Sequence, residues 1–473
     1  MINTKAYGFG VFISSVDHYF HLPQAFRASI MSIKNQKRLF KEASQILKGN
    51  TWEDRYTVPS ANLYPYQWNW DSGFVAMGFA HFDVSRAIRE MESLFEGQWE
   101  NGMLPHIVFH SKEQEGYFPG PSYWESKKVE AAPRHVETSG ITQPPVHGFI
   151  LERILDLHPD NEEVKAFAKA FYPKILKLHR YFYDYRDPKR EGLAFIFHPW
   201  ASGRDNSPLW DDLVRTIPIK PGDIPSYKRY DNLKADPSER PSDKDYDIYV
   251  YLMELGKRHQ YNGKLIAKES PFLVQDTLFN AMLIRSNDAL INIGSTLGID
   301  TKEVQEWNKQ SKKAFDTKLW VDSLETYAPY DLQNNRHIDL KEIGAFTALY
   351  AGIPSKERAL KLKEYIASLA DRPEGFRVMP SFDPDHKIFN PRKYWKGPIW
   401  PQMNWLVYQG LNRYGFNGTA NQVKSDFIDL VDKLGFYEYF DPRKSVADQL
   451  DHGYGGDHFS WTAAVVLDFI ANS

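Results

Sequence analysis

The sequence predicts an all-α fold in which helical hairpins are arranged in a ring. Apolar residues recur at three- and four-residue spacing in thirteen segments, whereas alternating segments are few and short, Ala194–Phe197 being the best of them. No linker rich in proline, glycine or serine interrupts residues 31–473. We therefore expect one helical domain over 31–473, with an inner and an outer ring of six helices each.

Each predicted helix is amphipathic or broadly apolar, and several carry boundary residues. Gly263, Gly298 and Gly415 lie where helices are expected to end, and Ser355 is placed to cap a helix start. The predicted helices span residues 33–48, 72–81, 84–98, 145–157, 162–184, 246–262, 270–297, 301–320, 339–351, 355–371, 401–413, 420–434 and 460–471.

Long segments connect these helices and carry most of the clusters of aromatic residues, glycine and proline. Loops longer than about 12–15 residues are usually functional or disordered, and aromatic content disfavours disorder. Aromatic residues make up 15% of the chain, and they serve either a core or a binding pocket. The long connecting segments are 50–71, 99–144, 185–245, 372–400 and 435–459.

Composition excludes several classes of protein. Among 473 residues, 58 basic and 61 acidic side chains give a net charge of −3, which argues against a nucleic-acid partner. No apolar run approaches about 18 residues, so no membrane span is expected. The absence of cysteine rules out disulfides, cysteine-ligated metals and cysteine nucleophiles. Standard nucleotide-binding, metalloprotease and serine-hydrolase motifs are absent, and we predict neither metal nor cofactor.

The amino-terminal segment differs from the rest of the chain. Residues 1–30 include a short apolar stretch broken by glycine, which is a weak match to a secretion signal. They otherwise suggest an extension or a start upstream of the natural one, because Met31 stands just before a strong helical pattern. We expect a cytoplasmic protein. Its oligomeric state is not indicated by the sequence.

Two carboxylates stand out by their neighbours. Asp205 lies in a loop punctuated by glycine and proline between two tryptophans, and Glu438 is surrounded by four aromatic residues. Such surroundings desolvate a carboxyl group and raise its pKa, as general acid–base chemistry requires. The alternative is that Asp205 caps a turn and Glu438 is an ordinary solvated residue.

From about residue 40 to the end, the chain resembles glycoside hydrolase family 63. It is most similar to the short members that hydrolyse mannosylglycerate and glucosylglycerate, and more distantly to trehalases. The resemblance implies an (α/α)6 barrel with long active-site loops and an inverting α-glycosidase. The motifs that carry it are Leu63–Ser72, Gly102–His106, Thr142–Pro145, Ser202–Pro208, Arg240–Tyr246, Tyr394–Trp400, Tyr437–Pro442 and His458–Ala464.

The resemblance also implies a role for each matched position. Asp205 matches the general acid, and Glu438 matches the general base that activates water. The positions that match the sugar site are Tyr64, Trp68, Asp71, Gln143, Trp200 and Gly203. Those that match the leaving-group site are Arg240, Tyr246, Tyr394, Trp395 and Trp400, where an arginine can pair with a glycerate carboxylate. Core packing is the alternative for each tryptophan, and a surface pair with Asp243 or Asp245 is the alternative for Arg240.

Two residues depart from the family pattern. Ala201 stands where relatives usually have glutamate, and Lys396 replaces a more usual arginine. These departures bear on the identity of the sugar and of its leaving group. We expect an inverting enzyme acting on a small carbohydrate, an α-glucoside or α-mannoside such as glucosylglycerate or mannosylglycerate. An oligosaccharide-processing α-glucosidase and a non-catalytic carbohydrate-binding protein are the alternatives.

Overall fold

Helices account for most of the regular structure. The structure, a computed structural model, describes residues 24–111, 116–234, 237, 240–376 and 378–471. Within those ranges the helices are α1 (Gln24–Gly49), α2 (Asn69–Ala80), α3 (Val84–Phe95), α4 (Pro121–Trp124), α5 (His147–Leu157), α6 (Glu162–Tyr185), α7 (Pro208–Arg215), α8 (Asp231–Lys234), α9 (Asp243–Arg258), α10 (Gly263–Glu269), α11 (Thr277–Leu297), α12 (Lys302–Lys318), α13 (Ile343–Phe346), α14 (Lys356–Ser368), α15 (Pro401–Arg413), α16 (Asn417–Leu434), α17 (Lys444–Ala447) and α18 (Ser460–Ala471).

Twelve of these helices alternate between an outer and an inner position. The inner helices α2, α5, α11, α13, α15 and α18 contact one another in that order, and α18 packs against α2 to close the ring. The outer helices α1, α3, α6, α12 and α16 lie against them, and α14 packs against α16 and the short strand at Thr326–Tyr327. The predicted (α/α)6 barrel is therefore confirmed.

The burial of each helix explains its place in the ring. All twelve residues of α2 are buried, and α18 is buried from Ser460 to Phe469, because both helices are apolar on nearly every side. The outer helix α12 buries a single stripe formed by Val304, Asn308, Ser311 and Phe315. Their spacing of four, three and four residues keeps that stripe on one face.

Short antiparallel strands lie in the segments that connect the helices. Their bounds are β1 (Thr51–Trp52), β2 (Tyr56–Thr57), β3 (Gln67–Trp68), β4 (Ile107–Phe109), β5 (Glu137–Thr138), β6 (Val274–Gln275), β7 (Trp320–Val321), β8 (Thr326–Tyr327), β9 (Tyr330–Asp331) and β10 (Arg336–His337). These strands form the sheets β1–β2, β3–β4–β5, β10–β9–β6 and β7–β8.

The strand predicted at Ala194–Phe197 is wrong. Only Ile196 makes a bridge, to Val274. The Asn280 side chain bonds both the N–H and the carbonyl of Ala194, at 2.8 and 2.9 Å, so a side chain satisfies backbone groups that a neighbouring strand would otherwise pair.

Helix boundaries follow the predicted residues in part. Gly298 ends α11 at a φ of 69°, and Ser355 caps α14. Gly263 does not end a helix; it begins α10, which Asn262 caps. The helix predicted at 270–297 begins at Thr277, because Asp276 caps it and β6 precedes it.

Two predicted helices take a different place or length. The segment predicted at 246–262 forms α9, which lies in the long connection between α6 and α11 and outside the ring. The helix predicted at 339–351 contracts to the four residues of α13.

The first described helix begins at Gln24, upstream of the predicted start at residue 33. The prediction for residues 1–23 lies outside the described residues, and the single domain over 31–473 stays a prediction. Over the described ranges, no helix combines the length and apolarity that a membrane crossing requires.

Candidate active site

All five of the long connecting segments contribute to one cavity. Tyr64, His106, Gly203, Tyr394 and Glu438 each come from a different one of them. The cavity has an empty volume of about 900 Å³, and its walls are mainly aromatic. A concave, largely apolar cavity with a few convergent polar groups is typical of a small-molecule site.

Asp205 stands on one wall of the cavity, in the loop between a 3-10 turn at Pro199–Ser202 and α7. Burial raises the pKa of its carboxyl to about 7, against the opposing charge of Arg240, and the negative charge of Glu438 also raises it. A carboxyl group with that pKa is partly protonated near neutral pH and can act as a proton donor.

Glu438 is 1% exposed, so it is not the solvated residue of the alternative interpretation. Its Oε1 accepts hydrogen bonds from the hydroxyls of Tyr64 at 3.0 Å and Tyr394 at 3.2 Å, and its Oε2 accepts one from the N–H of Gly456 at 3.0 Å. Burial raises the pKa of Glu438, while Arg240 and these three donors lower it. The donors favour the ionised carboxylate, the form that can accept a proton.

Arg240 approaches the same cluster. Its guanidinium donates to the Tyr64 hydroxyl at 3.3 and 3.4 Å, and its Cζ lies 4.9 Å from the centre of the Tyr394 ring. The surface pair considered for Arg240 is wrong, because Asp243 pairs with Arg229 and Asp245 caps α9 with Ser242.

No carboxylate in the described part of the chain forms an ion pair with Arg240, and its buried Nε lacks a hydrogen-bond partner. The side chain is 7% exposed. A buried cation in this state is suited to receive an anionic group.

The other predicted polar groups face the same space. Asp71 is 5% exposed in the first turn of α2, and burial raises its pKa well above the usual value. The Oε1 of Gln143 accepts the backbone N–H of Trp70 at 3.3 Å. The indole N–H of Trp68 is buried without a partner. These groups can bond hydroxyls of a bound molecule.

Gly203 allows the close packing of this wall. Its φ is +71°, and a Cβ at this position would lie 2.8 Å from the Trp70 ring. Glycine alone meets both constraints without strain. The turn that it ends carries Trp200, which is half-buried beside His106 with ring centres 6.2 Å apart.

Trp395 is the predicted site residue that does not line the cavity. It stacks on Trp400, with ring centres 3.8 Å apart and planes 3° apart, so it supports a wall residue from behind. The remaining predicted residues, Tyr246 and Trp400 among them, do line the cavity.

Several residues that line the cavity are not among the predicted site residues. Trp70, His106 and Trp461 lie inside three of the family motifs, and that position in the sequence is the signal that could have identified them as site residues. Asp231 and Tyr117 lie outside every motif. Asp231 is held by Arg229, at 2.7 and 3.0 Å, and no local sequence signal indicates that it reaches the cavity.

The two departures from the family pattern lie away from the cavity wall. Ala201 is 1% exposed within the turn before Asp205. Lys396 pairs with Asp211 of α7 at 2.6 Å, and the backbone N–H of Trp395 bonds Asn206 at 3.4 Å. These contacts join the turn that carries Tyr394 to the segment that carries Asp205.

Two buried carboxyl groups with raised pKa values, aromatic walls and hydroxyl-binding groups in one cavity are the features expected of a glycoside hydrolase built on a helical barrel. Comparison with known proteins agrees. The family profile described as the mannosylglycerate hydrolase MGH1-like glycoside hydrolase domain matches residues 64–462. The chain belongs to this family of glycoside hydrolases.

Individual relatives cover nearly the whole chain. A mannosylglycerate hydrolase from Rubrobacter radiotolerans is 38% identical over 91% of this chain and 96% of its own. A glucosylglycerate hydrolase from Mycolicibacterium hassiacum is 33% identical over 92% of this chain and 98% of its own. The crystal structure of the family 63 mannosylglycerate hydrolase from Thermus thermophilus, in complex with Tris and D-glycerate, matches with a TM-score of 0.84, at 38% identity over 92% of this chain and 100% of that one.

The position of the Glu438 carboxyl group can be tested by replacing Gly455, which packs against it. Gly455 has a φ of +71°, and a Cβ there would lie 2.2 Å from Oε2 of Glu438. We expect Gly455→Ala to displace this carboxyl group and to lower kcat for a small α-glycoside by about 100-fold. Steady-state kinetics measures the loss.

The matched control is Gly418→Ala in α16, where nothing lies within 4 Å of the added Cβ. It should leave kcat unchanged. Equal activities of the two variants would contradict the close approach of Gly455 to Glu438.

Proposed function

We propose that the chain hydrolyses an α-glycoside of glycerate, with mannosylglycerate and glucosylglycerate as the substrates to test first. The observation that carries the proposal is Arg240, a buried guanidinium without a carboxylate partner among the described residues, in the same cavity as Asp205 and Glu438. A glycerate carboxylate could accept charge-assisted hydrogen bonds from this guanidinium.

In this proposal Asp205 is the general acid and Glu438 the general base. Asp205 protonates the glycosidic oxygen, since its pKa of about 7 keeps about half of the carboxyl groups protonated at pH 7. Glu438, whose carboxylate accepts hydrogen bonds from Tyr64, Tyr394 and Gly456, takes a proton from the attacking water when it is ionised. Attack from the face opposite the leaving group inverts the anomeric carbon.

The sugar would lie between aromatic side chains and hydroxyl-binding groups. Trp68 and Trp200 pack against its C–H faces, while Asp71 and Gln143 bond its hydroxyls. Tyr64 lies beside them, and Gly203 keeps the wall thin enough for Trp70. Arg240, Tyr246, Tyr394 and Trp400 form the leaving-group side, with Trp395 supporting Trp400.

The names of the relatives support a glycerate leaving group and leave the sugar open. Relatives named for mannosylglycerate and for glucosylglycerate both match over most of their length. A Thermus thermophilus relative has been crystallised with D-glycerate and with glucose. The oligosaccharide-processing and non-catalytic alternatives find no support among them. The cytoplasmic location stays a prediction.

The first test is a substrate panel followed by proton NMR. The chain should release free sugar from mannosylglycerate or glucosylglycerate, with the β-anomer appearing first, and should act poorly on trehalose and on longer α-glucosides. Turnover confined to oligosaccharides would refute the glycerate proposal, and an initial α-anomer would refute inversion.

Replacing the two carboxyl groups tests their roles. Asp205→Asn and Glu438→Gln should each lower kcat by about 10²–10⁴-fold, because each removes proton transfer in the transition state. A compact α-glycosyl fluoride, whose leaving group needs little protonation, should partly restore Asp205→Asn and not Glu438→Gln.

Asp212→Asn is the control for that pair, because this carboxylate on α7 is 89% exposed. It should behave as the unmodified enzyme. Near-normal turnover of a glycerate glycoside by either active-site variant would show that its role is assigned wrongly.

The pH profile should follow the same two groups. Asp205 acts when protonated, so kcat/KM should fall as the pH rises through about 7. Glu438 acts when ionised, and its raised pKa places the acidic limb above the usual range of glutamate. In Asp205→Asn, assayed with the glycosyl fluoride, the limb near 7 should disappear. Its persistence would assign that limb to another group.

Arg240 can be tested by comparing charged and neutral leaving groups. Arg240→Lys should raise KM for the glycerate glycoside by about 10–100-fold, because the planar two-point contact is lost. KM for the corresponding glycerol glycoside should change far less. Arg215→Lys, at an arginine 58% exposed on α7, is the control and should change neither value. Equal effects of Arg240→Lys on both substrates would rule out carboxylate recognition.

A further inference from the structure

The residue directly before Asp205 is a fully buried arginine that the catalytic scheme does not use. Arg204 has no exposed surface, and its guanidinium is bonded to two carboxylates, Asp276 through Nη2 and Glu342 through Nη1. Both carboxylates are buried as well.

The two carboxylates mark the starts of two inner helices. Asp276 caps α11 by accepting the N–H of Phe279 at 3.0 Å. Glu342 caps α13 by accepting the N–H of Gly344 at 2.7 Å. Arg204 therefore ties the loop of the proposed acid to the ends of two barrel helices that are distant in sequence.

The backbone of Arg204 is held too. Its N–H donates to the hydroxyl of Ser202 at 2.9 Å, and its carbonyl accepts the indole N–H of Trp210 at 2.7 Å. A Cβ on Gly344 would lie 2.5 Å from Nη1 of Arg204, so the guanidinium fills the space that this glycine leaves. Side chain and peptide are both restrained one residue before Asp205.

We propose that Arg204 is a positioning residue for the general acid. Its anchored side chain points into the barrel wall, and this fixes the peptide from which Asp205 reaches the cavity. The proposal rests on the assignment of Asp205 as the acid. A small rotation of this peptide would move the carboxyl away from the glycosidic oxygen without changing the groups that bind the substrate.

The test compares two leaving groups in the full-length enzyme. Arg204→Lys keeps the positive charge, but a single ammonium group does not reproduce the two-sided fork of the guanidinium. We expect kcat for the glycerate glycoside to fall about 10–100-fold, whereas kcat for the α-glycosyl fluoride stays within about threefold. KM for the glycerate glycoside should change little, since Arg204 touches no substrate.

Arg285→Lys is the matched control. Arg285 lies further along α11, away from the cavity, and bonds the buried Glu152. A lysine there should affect both substrates equally. If Arg204→Lys likewise loses equal activity on both substrates, or loses none, Arg204 serves the fold alone and the proposal is wrong.

Two further variants, Glu342→Gln and Asp205→Asn, allow the proposal to be tested even if Arg204→Lys does not fold. If Arg204→Lys does not fold, Glu342→Gln weakens the same anchor and should show the same selective loss at smaller size; failure of both to fold would overturn the proposal. Asp205→Asn is run in parallel. A selective loss in Asp205→Asn but not in Arg204→Lys refutes only the positioning role, whereas its absence in Asp205→Asn refutes the acid assignment itself.

Discussion

Closure of the inner ring is the constraint on which the active site depends. The contact between α18 and α2 brings the chain around the site, so that Tyr64 and Glu438, 374 residues apart in sequence, share a hydrogen bond. The indole N–H of Trp461, in the first turn of α18, bonds the backbone carbonyl of Glu438 at 3.2 Å. Glu438 is thus held from α18 and from the segment that leads into α2.

Arg240 is the single guanidinium among the described residues that line the cavity. Four carboxyl groups share the cavity with it, those of Asp71, Asp205, Asp231 and Glu438, and burial raises the pKa of Asp71, Asp205 and Glu438. The single guanidinium lowers the pKa of both catalytic candidates, so it limits how far burial can raise them. An anionic group bound at Arg240 would remove part of that effect and raise the pKa of Asp205 further.

The barrel and most of the site could be predicted from sequence because both are encoded locally. Apolar periodicity marks each helix, and the loop motifs carry their own chemistry. Features that depend on residues far away in the sequence could not be predicted. The Asn280 side chain accepts the backbone N–H of Ala194 in place of a neighbouring strand, and Asp276 caps α11, which therefore begins at Thr277. In the same way, Trp395 belongs to a motif that meets the cavity, but its neighbour Trp400 takes the wall position.

The packing of α1 on α18 and of α18 on α2 has a consequence for when the cavity is completed during synthesis. A ribosome makes the chain from its amino terminus, so α18 emerges after the other five inner helices and is the one that completes the ring. Until α18 docks, Glu438 lacks its contact with Trp461. A chain in which both carboxyl groups have already been made therefore still lacks the complete cavity.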